Sequence, residues 1–133
     1  YRKAIELDPS YALAHNNLGN LLKDVRKDYD GAEKLYRKAI ELDPSYAALH
    51  NNLADCLMNR GDLGGAETSV RIAIEIDPNE AIAHFTLGEI LEKKNDIPGA
   101  IDAIKEYIRR GDPDNDGEQQ LATLREKLSL LLE

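Results

Sequence analysis

The residues Tyr1 to Ala12, Tyr-Arg-Lys-Ala-Ile-Glu-Leu-Asp-Pro-Ser-Tyr-Ala, return unchanged as Tyr36 to Ala47. Identity over such a span in a chain of 133 residues marks duplication. A fixed period of roughly 20–50 residues is the signature of a repeat protein, in which one small unit recurs and each copy buries its apolar face on the next. No other property of the chain narrows the choice of fold so far. The Asp-Pro pairs extend the register: Asp8-Pro9, Asp43-Pro44, Asp77-Pro78 and Asp112-Pro113, at spacings of 35, 34 and 35. His15, His50 and His84 keep the same step.

Two helical patterns fit between consecutive Asp-Pro pairs. Ala14, Leu18, Leu21 and Leu22 recur at i, i+4, i+7 and i+8, which predicts a helix over 11–25. Ala32, Leu35, Tyr36, Ala39 and Ile40 form the stripe of a second helix ending near Leu42. Asp28, Asp62 and Asp96 stand just ahead of the second helices, where a carboxylate accepts from the free amides of the first turn. Pro44, Pro78 and Pro113 end them, because proline disfavours helical geometry in the residue before it. Gly61 and Asn95 occupy the reversal between helices in the second and third copies, and both tolerate left-handed geometry. Lys27 occupies it in the first copy, which carries one extra residue in Asp24-Val25-Arg26-Lys27. A longer connection is expected there. Gly19, Ala54 and Gly88 in the first helices, with Ala32, Ala66 and Ala100 in the second, are small residues expected where two helix axes cross closely.

These residues resemble the tetratricopeptide repeat, a 34-residue helix-turn-helix. The second copy carries its motif without a gap: His50, Leu53-Ala54, Leu57, Gly61, Ala66, Val70, Ala73 and Pro78. The first carries it with one insertion: His15, Leu18-Gly19, Leu22, Ala32, Tyr36, Ala39 and Pro44. The third reads His84, Leu87-Gly88, Leu91, Ala100, Ile104 and Pro113. It departs at Tyr107, where the motif has a small Ala, and it holds an extra Gly111. The resemblance covers residues 1–114 and implies an all-α fold, a right-handed superhelical solenoid of antiparallel helix pairs. Its parts are the second-helix tail of a truncated repeat (1–9), three repeats (10–45, 46–79 and 80–114) and a C-terminal capping helix (115–133).

The capping helix follows from the residues themselves. Asp116 with Gln119 makes a capping box, and Leu121, Leu124, Leu128 and Leu131-Leu132 follow at helical spacing. Such a helix, polar on its outer face, covers the apolar side of the final repeat. The other end shows half of a helix pair and no Met. It is expected to belong to a longer array, and either to fray or to pack on a second copy.

Charge and composition exclude several classes. The net charge of −8 disfavours nucleic acid and anionic membranes, which need cations. No apolar run approaches the roughly 20 residues of a membrane span. A single cysteine, Cys56, allows no internal disulfide and fits the cytoplasm or another reducing compartment. No cofactor motif, nucleophile elbow or phosphate loop appears, so the chain is not expected to be an enzyme. The three histidines fall in successive repeats at a packing position, which favours core over metal. Asp112-Pro-Asp114-Asn-Asp116-Gly117 opens like a calcium loop, but its twelfth position is Thr123 rather than the required Glu. Calcium binding at 112–117 is the minor alternative.

Asn16-Asn17 and Asn51-Asn52 are the unexplained feature. Asn competes for the backbone and weakens a helix, so pairs of it inside successive first helices need a reason. An amide offers donor and acceptor together, which suits an extended peptide backbone. In the resembled family the first helices line the concave groove, and Asn at this step forms a ladder along a bound peptide. The arrays of O-linked N-acetylglucosamine transferase are similar in this respect. Carried over by position, the ladder is Asn17 and Asn52, broken by Thr86. Asn20, Asp55 and Glu89 flank it, then Asp24, Asn59 and Lys93.

The family's clamp for chaperone tails needs two Lys and an Arg where this chain has Asn16, Ile82 and Thr86. Binding of terminal carboxylates is therefore not expected. The resemblance implies a noncatalytic module for an extended peptide or protein partner, with Asp55 and Glu89 favouring basic ligands. The competing class is an assembly spacer that self-associates through its N-terminal half-repeat.

Overall fold

The computed structural model describes residues 9–111 and 117–132. Seven helices follow one another there: α1 (Pro9–Arg26), α2 (Tyr29–Leu42), α3 (Ala47–Arg60), α4 (Leu63–Ile76), α5 (Ala81–Lys93), α6 (Ile97–Arg110) and α7 (Gly117–Leu132). The architecture is all-α, and no strand occurs among the described residues. The chain divides into two compact units, residues 1–76 and 77–133. In the first, α1 packs along α2 and α3 along α4, while α2 also packs on α3 and α1 touches α3. In the second, α5 packs along α6, and α6 packs on α7.

The aspartates close the helix starts as their positions predict. Asp28 accepts from the Gly31 amide at 2.9 Å, Asp62 from Gly65 at 3.0 Å and Asp96 from Gly99 at 3.0 Å. Each cap is worth about 0.5–2 kcal/mol. The helix ends are equally regular. The Asp62 amide donates to the Leu57 carbonyl at 2.9 Å, and the Asp96 amide to Leu91 at 2.8 Å. Gly61 (φ 97°) and Asn95 (φ 68°) supply the left-handed residue this closure demands.

The extra residue of the first repeat does not lengthen the connection. The Asp28 amide still donates to Leu22, the equivalent of Leu57 and Leu91, at 3.0 Å. Helix α1 runs on to Arg26, and only Lys27 and Asp28 join it to α2. The insertion is thus taken up as a wider ring inside the last helical turn. Lys27 is left at φ 55°, a conformation that crowds its Cβ. Lys27→Gly is expected to raise the unfolding free energy by about 1 kcal/mol, measured by urea denaturation.

Core packing explains the small residues. A Cβ on Gly19 would stand 2.9 Å from the Tyr36 ring, and one on Gly88 would stand 2.6 Å from Ile104 Cδ1. In the second repeat the same two positions hold Ala54 and Val70, both fully buried. A larger first-helix residue is matched there by a smaller second-helix one, which keeps the packed volume similar. Tyr107, the departure from the motif, packs against Phe85 with ring centroids 4.9 Å apart and the ring planes tilted by 58°.

Two apolar stretches lie otherwise than the helical stripes predict. On α1, Leu18 and Leu21 are exposed, whereas Leu53, at the position of Leu18 in the next repeat, is buried. On α7, Leu121 and Leu124 are buried, but Leu130, Leu131 and Leu132 are exposed. The capping helix therefore makes its apolar contact with its first two turns. The predicted cap Asp116 and the candidate calcium loop at 112–117, all but its Gly117, lie outside the described residues, as does the tail 1–8.

Candidate functional site

Two polar stripes meet in the first compact unit. On α1, Asn16, Asn20 and Lys23 stand at i, i+4 and i+7, on one face of the helix. On α3, Asn52, Asp55 and Asn59 stand at i, i+3 and i+7. Contact between the helices joins the stripes. Asn52 Nδ2 donates to Asn16 Oδ1 at 2.8 Å. Lys23 Nζ donates to Asp55 Oδ2 at 2.5 Å and lies 3.6 Å from Asp24. Asn59 Nδ2 donates to the Asp55 carbonyl at 2.8 Å.

The stripe is anchored from below. Tyr36, fully buried on α2, donates its hydroxyl to Asn20 Oδ1 at 2.5 Å. Burial raises the Tyr36 pKa, helped by Cys56, Asp24 and Asp55, so the phenol keeps its proton. Burial acts to lower the Lys23 pKa, but its bond to Asp55 and the charges of Asp55 and Asp24 more than offset this and raise it. The cluster of Lys23, Asp24 and Asp55 holds one net negative charge.

These bonds orient the amides without exhausting them. Asn16 retains its N–H groups and Asn52 its carbonyl. Asn17 is exposed and has no partner among the described residues. Asn51 is buried, and its Oδ1 has no hydrogen-bond partner. The remaining sequence-predicted residues stand on α5, in the second compact unit. Thr86 is buried and donates its hydroxyl to the Ile82 carbonyl at 3.1 Å. Glu89 is half-buried and Lys93 exposed.

Sequence reasoning missed the roles of Lys23 and Tyr36. For Tyr36 a signal existed: a buried tyrosine needs a partner for its hydroxyl, and Asn20 adjoins the Gly19 on which the ring packs. For Lys23 there was none, because its pairing with Asp55 depends on the offset between two repeats.

The histidines are occupied elsewhere. His50 and His84 are buried, with Nε2 3.0 and 2.9 Å from the carbonyls of Pro44 and Pro78. Each ties the turn after a proline to the helix that follows. His15 instead places Nδ1 2.6 Å from the Tyr11 carbonyl. Cys56 is fully buried, with Sγ 3.2 Å from the Tyr29 carbonyl. Burial, then Glu33, pushes its pKa up to about 11. Ellman's reagent at pH 8 is expected to react with Cys56 only after urea unfolds the chain. The folded thiol holds its proton above the unfolded pKa, so stability is full below that value and falls as pH rises toward 11.

The described helices and turns define a solenoid-forming helix-turn-helix repeat. Tetratricopeptide-repeat models match residues 26–79 and 60–116, and a TPR repeat model matches residues 1–24. The chain belongs to the tetratricopeptide-repeat family. No curated protein matches it. Among solved structures it is similar to the first TPR of Spaghetti (RPAP3) bound to the HSP90 peptide SRMEEVD. That match has 20% identity and a TM-score of 0.86, over 93% of this chain and 98% of that one. It is also similar to the first TPR domain of human RPAP3, with 20% identity and a TM-score of 0.87 over 92% and 95% of the two chains. A third likeness is to the Sgt2 TPR domain of Aspergillus fumigatus, with 24% identity and a TM-score of 0.82 over 90% and 80%. At these identities the likeness establishes the fold. No helix of the described residues is long and apolar enough to cross a membrane.

Proposed function

We propose that the chain is a noncatalytic protein–protein interaction module that binds an extended peptide along its first helices. The observation that carries this reading is the interlocked polar face of α1 and α3. Asn16, Asn20 and Asn52 are held by Asn52, Tyr36 and Asn16 in geometries that leave amide groups for a ligand. Preorganised groups of this kind lower the ordering cost of binding. The fold neighbour that holds SRMEEVD supports a peptide ligand in general. The present residues favour a different one. Asn16 stands at a clamp position that requires a cation, and the Lys23 cluster is negative. The ligand is an internal, neutral or basic peptide segment, with Asn17, Asn52, Asp24 and Asp55 in contact, and Asn51 and Asn59 bordering them.

A peptide array read by fluorescence tests this. Basic extended peptides are expected to bind more tightly than SRMEEVD. Asn17→Ala with Asn52→Ala is expected to weaken them about 10-fold or more, the loss of two backbone-directed hydrogen bonds. Equal binding of SRMEEVD, or an unaffected double variant, overturns the reading.

A second reading, end-to-end self-association, is favoured by the exposed Leu13, Leu18, Leu21 and Val25 of α1. Large exposed apolar stripes mark interaction surfaces. Sedimentation at high concentration decides it: a monomer removes the reading, and an oligomer dissolved by Leu18→Glu supports it.

A further inference from the structure

The second repeat departs from its neighbours at adjoining positions on α4. Ser69 stands where the first and third repeats have Leu35 and Ala103. Ile72 stands where they have Lys38 and Glu106, and Thr68 where they have Lys34 and Asp102. No two of the three repeats agree at these positions, and in the second they supply two hydroxyls and an isoleucine. All three residues line one cleft of about 320 Å³, walled by α2, α3 and α4 within the first compact unit.

The cleft is distinct from the polar face. At 3.6 residues per turn, His50, Leu53 and Leu57 of α3, which line it, lie nearly opposite Asn52, Asp55 and Asn59. Its floor is aliphatic, from Ile40, Leu53 and Leu57. Its rim holds Ile72, an isoleucine left 38% exposed, and Arg37. Ser69 is only 8% exposed, lines the cleft and has no hydrogen-bond partner among the described residues. Its hydroxyl opens into the cleft rather than being sealed in the core, where Asn51 Oδ1 is the unpartnered buried side-chain atom among the described residues. Where the first repeat has a leucine, the second has space and an unused hydroxyl. Arg37 is held by Glu33 at 2.8 Å, yet its side chain is 57% exposed and retains further N–H donors.

We propose that this cleft is a second binding site, for a branched aliphatic carboxylate of about six carbons. Small-ligand pockets begin at about 300 Å³ and pair an apolar lining with a few polar groups, as here. The aliphatic chain lies on Leu53, Leu57 and Ile72. The Ser69 hydroxyl and the Arg37 guanidinium receive the carboxylate. The same chemistry is offered by a free branched-chain acid and by a peptide ending in leucine.

Titration of the ¹⁵N-labelled chain with 4-methylpentanoate, and separately with a tetrapeptide ending in leucine, tests the site. The amides of Gly65, Ser69 and Ile72 are expected to shift with millimolar Kd, a scale suited to so small a ligand. Ser69→Leu refills the cleft with the side chain that the first repeat already carries at this position, and is expected to abolish the shifts while the fold is retained. Arg37→Gln is expected to weaken binding about five-fold, as for a partly exposed ion pair. Binding of the acid alone identifies a free ligand, and binding of the peptide alone identifies a protein terminus. No shift with either probe, or shifts unchanged in Ser69→Leu, overturns the proposal.

Discussion

Tyr36→Ala is expected to lower the unfolding free energy by about 3–5 kcal/mol, the usual cost of deleting a buried aromatic side chain. Tyr36 is among the largest fully buried side chains, and its ring fills the space that Gly19 leaves on α1. In a chain of this length the loss corresponds to a drop in Tm of about 10–20 °C. Tyr36→Phe separates the two roles of the residue. It keeps the ring and removes the hydroxyl that holds Asn20, so stability falls by only about 1 kcal/mol. If Asn20 belongs to the binding face, Tyr36→Phe weakens peptide binding out of proportion to that small loss. Thermal unfolding and a binding titration on the two variants give both numbers. A Tyr36→Ala variant as stable as the parent contradicts the packing described.

Leu124→Asp is expected to detach α7. Leu121 and Leu124 are its buried leucines, and α6 is the helix on which α7 packs. An unpaired carboxylate at a fully buried site costs about 3 kcal/mol or more. Hydrogen bonds from the part-buried Gln120 and the exposed Lys127 to Glu92, at 3.0 and 3.3 Å, contribute about 1 kcal/mol each and do not compensate. The expected result is loss of amide protection throughout 117–132, with α3 and α4 still protected. Hydrogen exchange resolves this directly. Uniform loss of protection in every helix points instead to one cooperative unit. Protection of α7 as in the parent means that Leu124 does not hold it.

Much of the fold was legible because repetition supplies its own alignment. The prolines, the capping aspartates and the small-residue pairs each recur at one step, so a reading made in one repeat was checked in two others. The insertion at 24–27 was misplaced because residue counting finds an extra residue without saying which hydrogen bond adapts to it. The closing bond to Leu22 was kept, and the helix widened. The leucines of α1 and α7 were misplaced because a helical stripe identifies an apolar face but not what covers it.

The candidate site was legible only in part. The asparagines stood out by residue type. Their bonds, and the pairing of Lys23 with Asp55, depend on how far one repeat is displaced against the next, which no pattern within a single repeat encodes. The cleft at Ser69 was visible in principle as a divergence between copies, but it gained meaning only when the three divergent residues were found side by side.

The widened turn at Lys27 bears on how such chains change length. What stays fixed across the three repeats is the pair of atoms that closes the first helix, the amide of the capping aspartate and the carbonyl of the leucine before it. The number of residues between them is free to vary by one. A stretch that closes on fixed atoms is a tolerant place for insertion or deletion, since an error in count there leaves the next helix in phase. The same turn takes one residue more in the first repeat and still closes on the same two atoms.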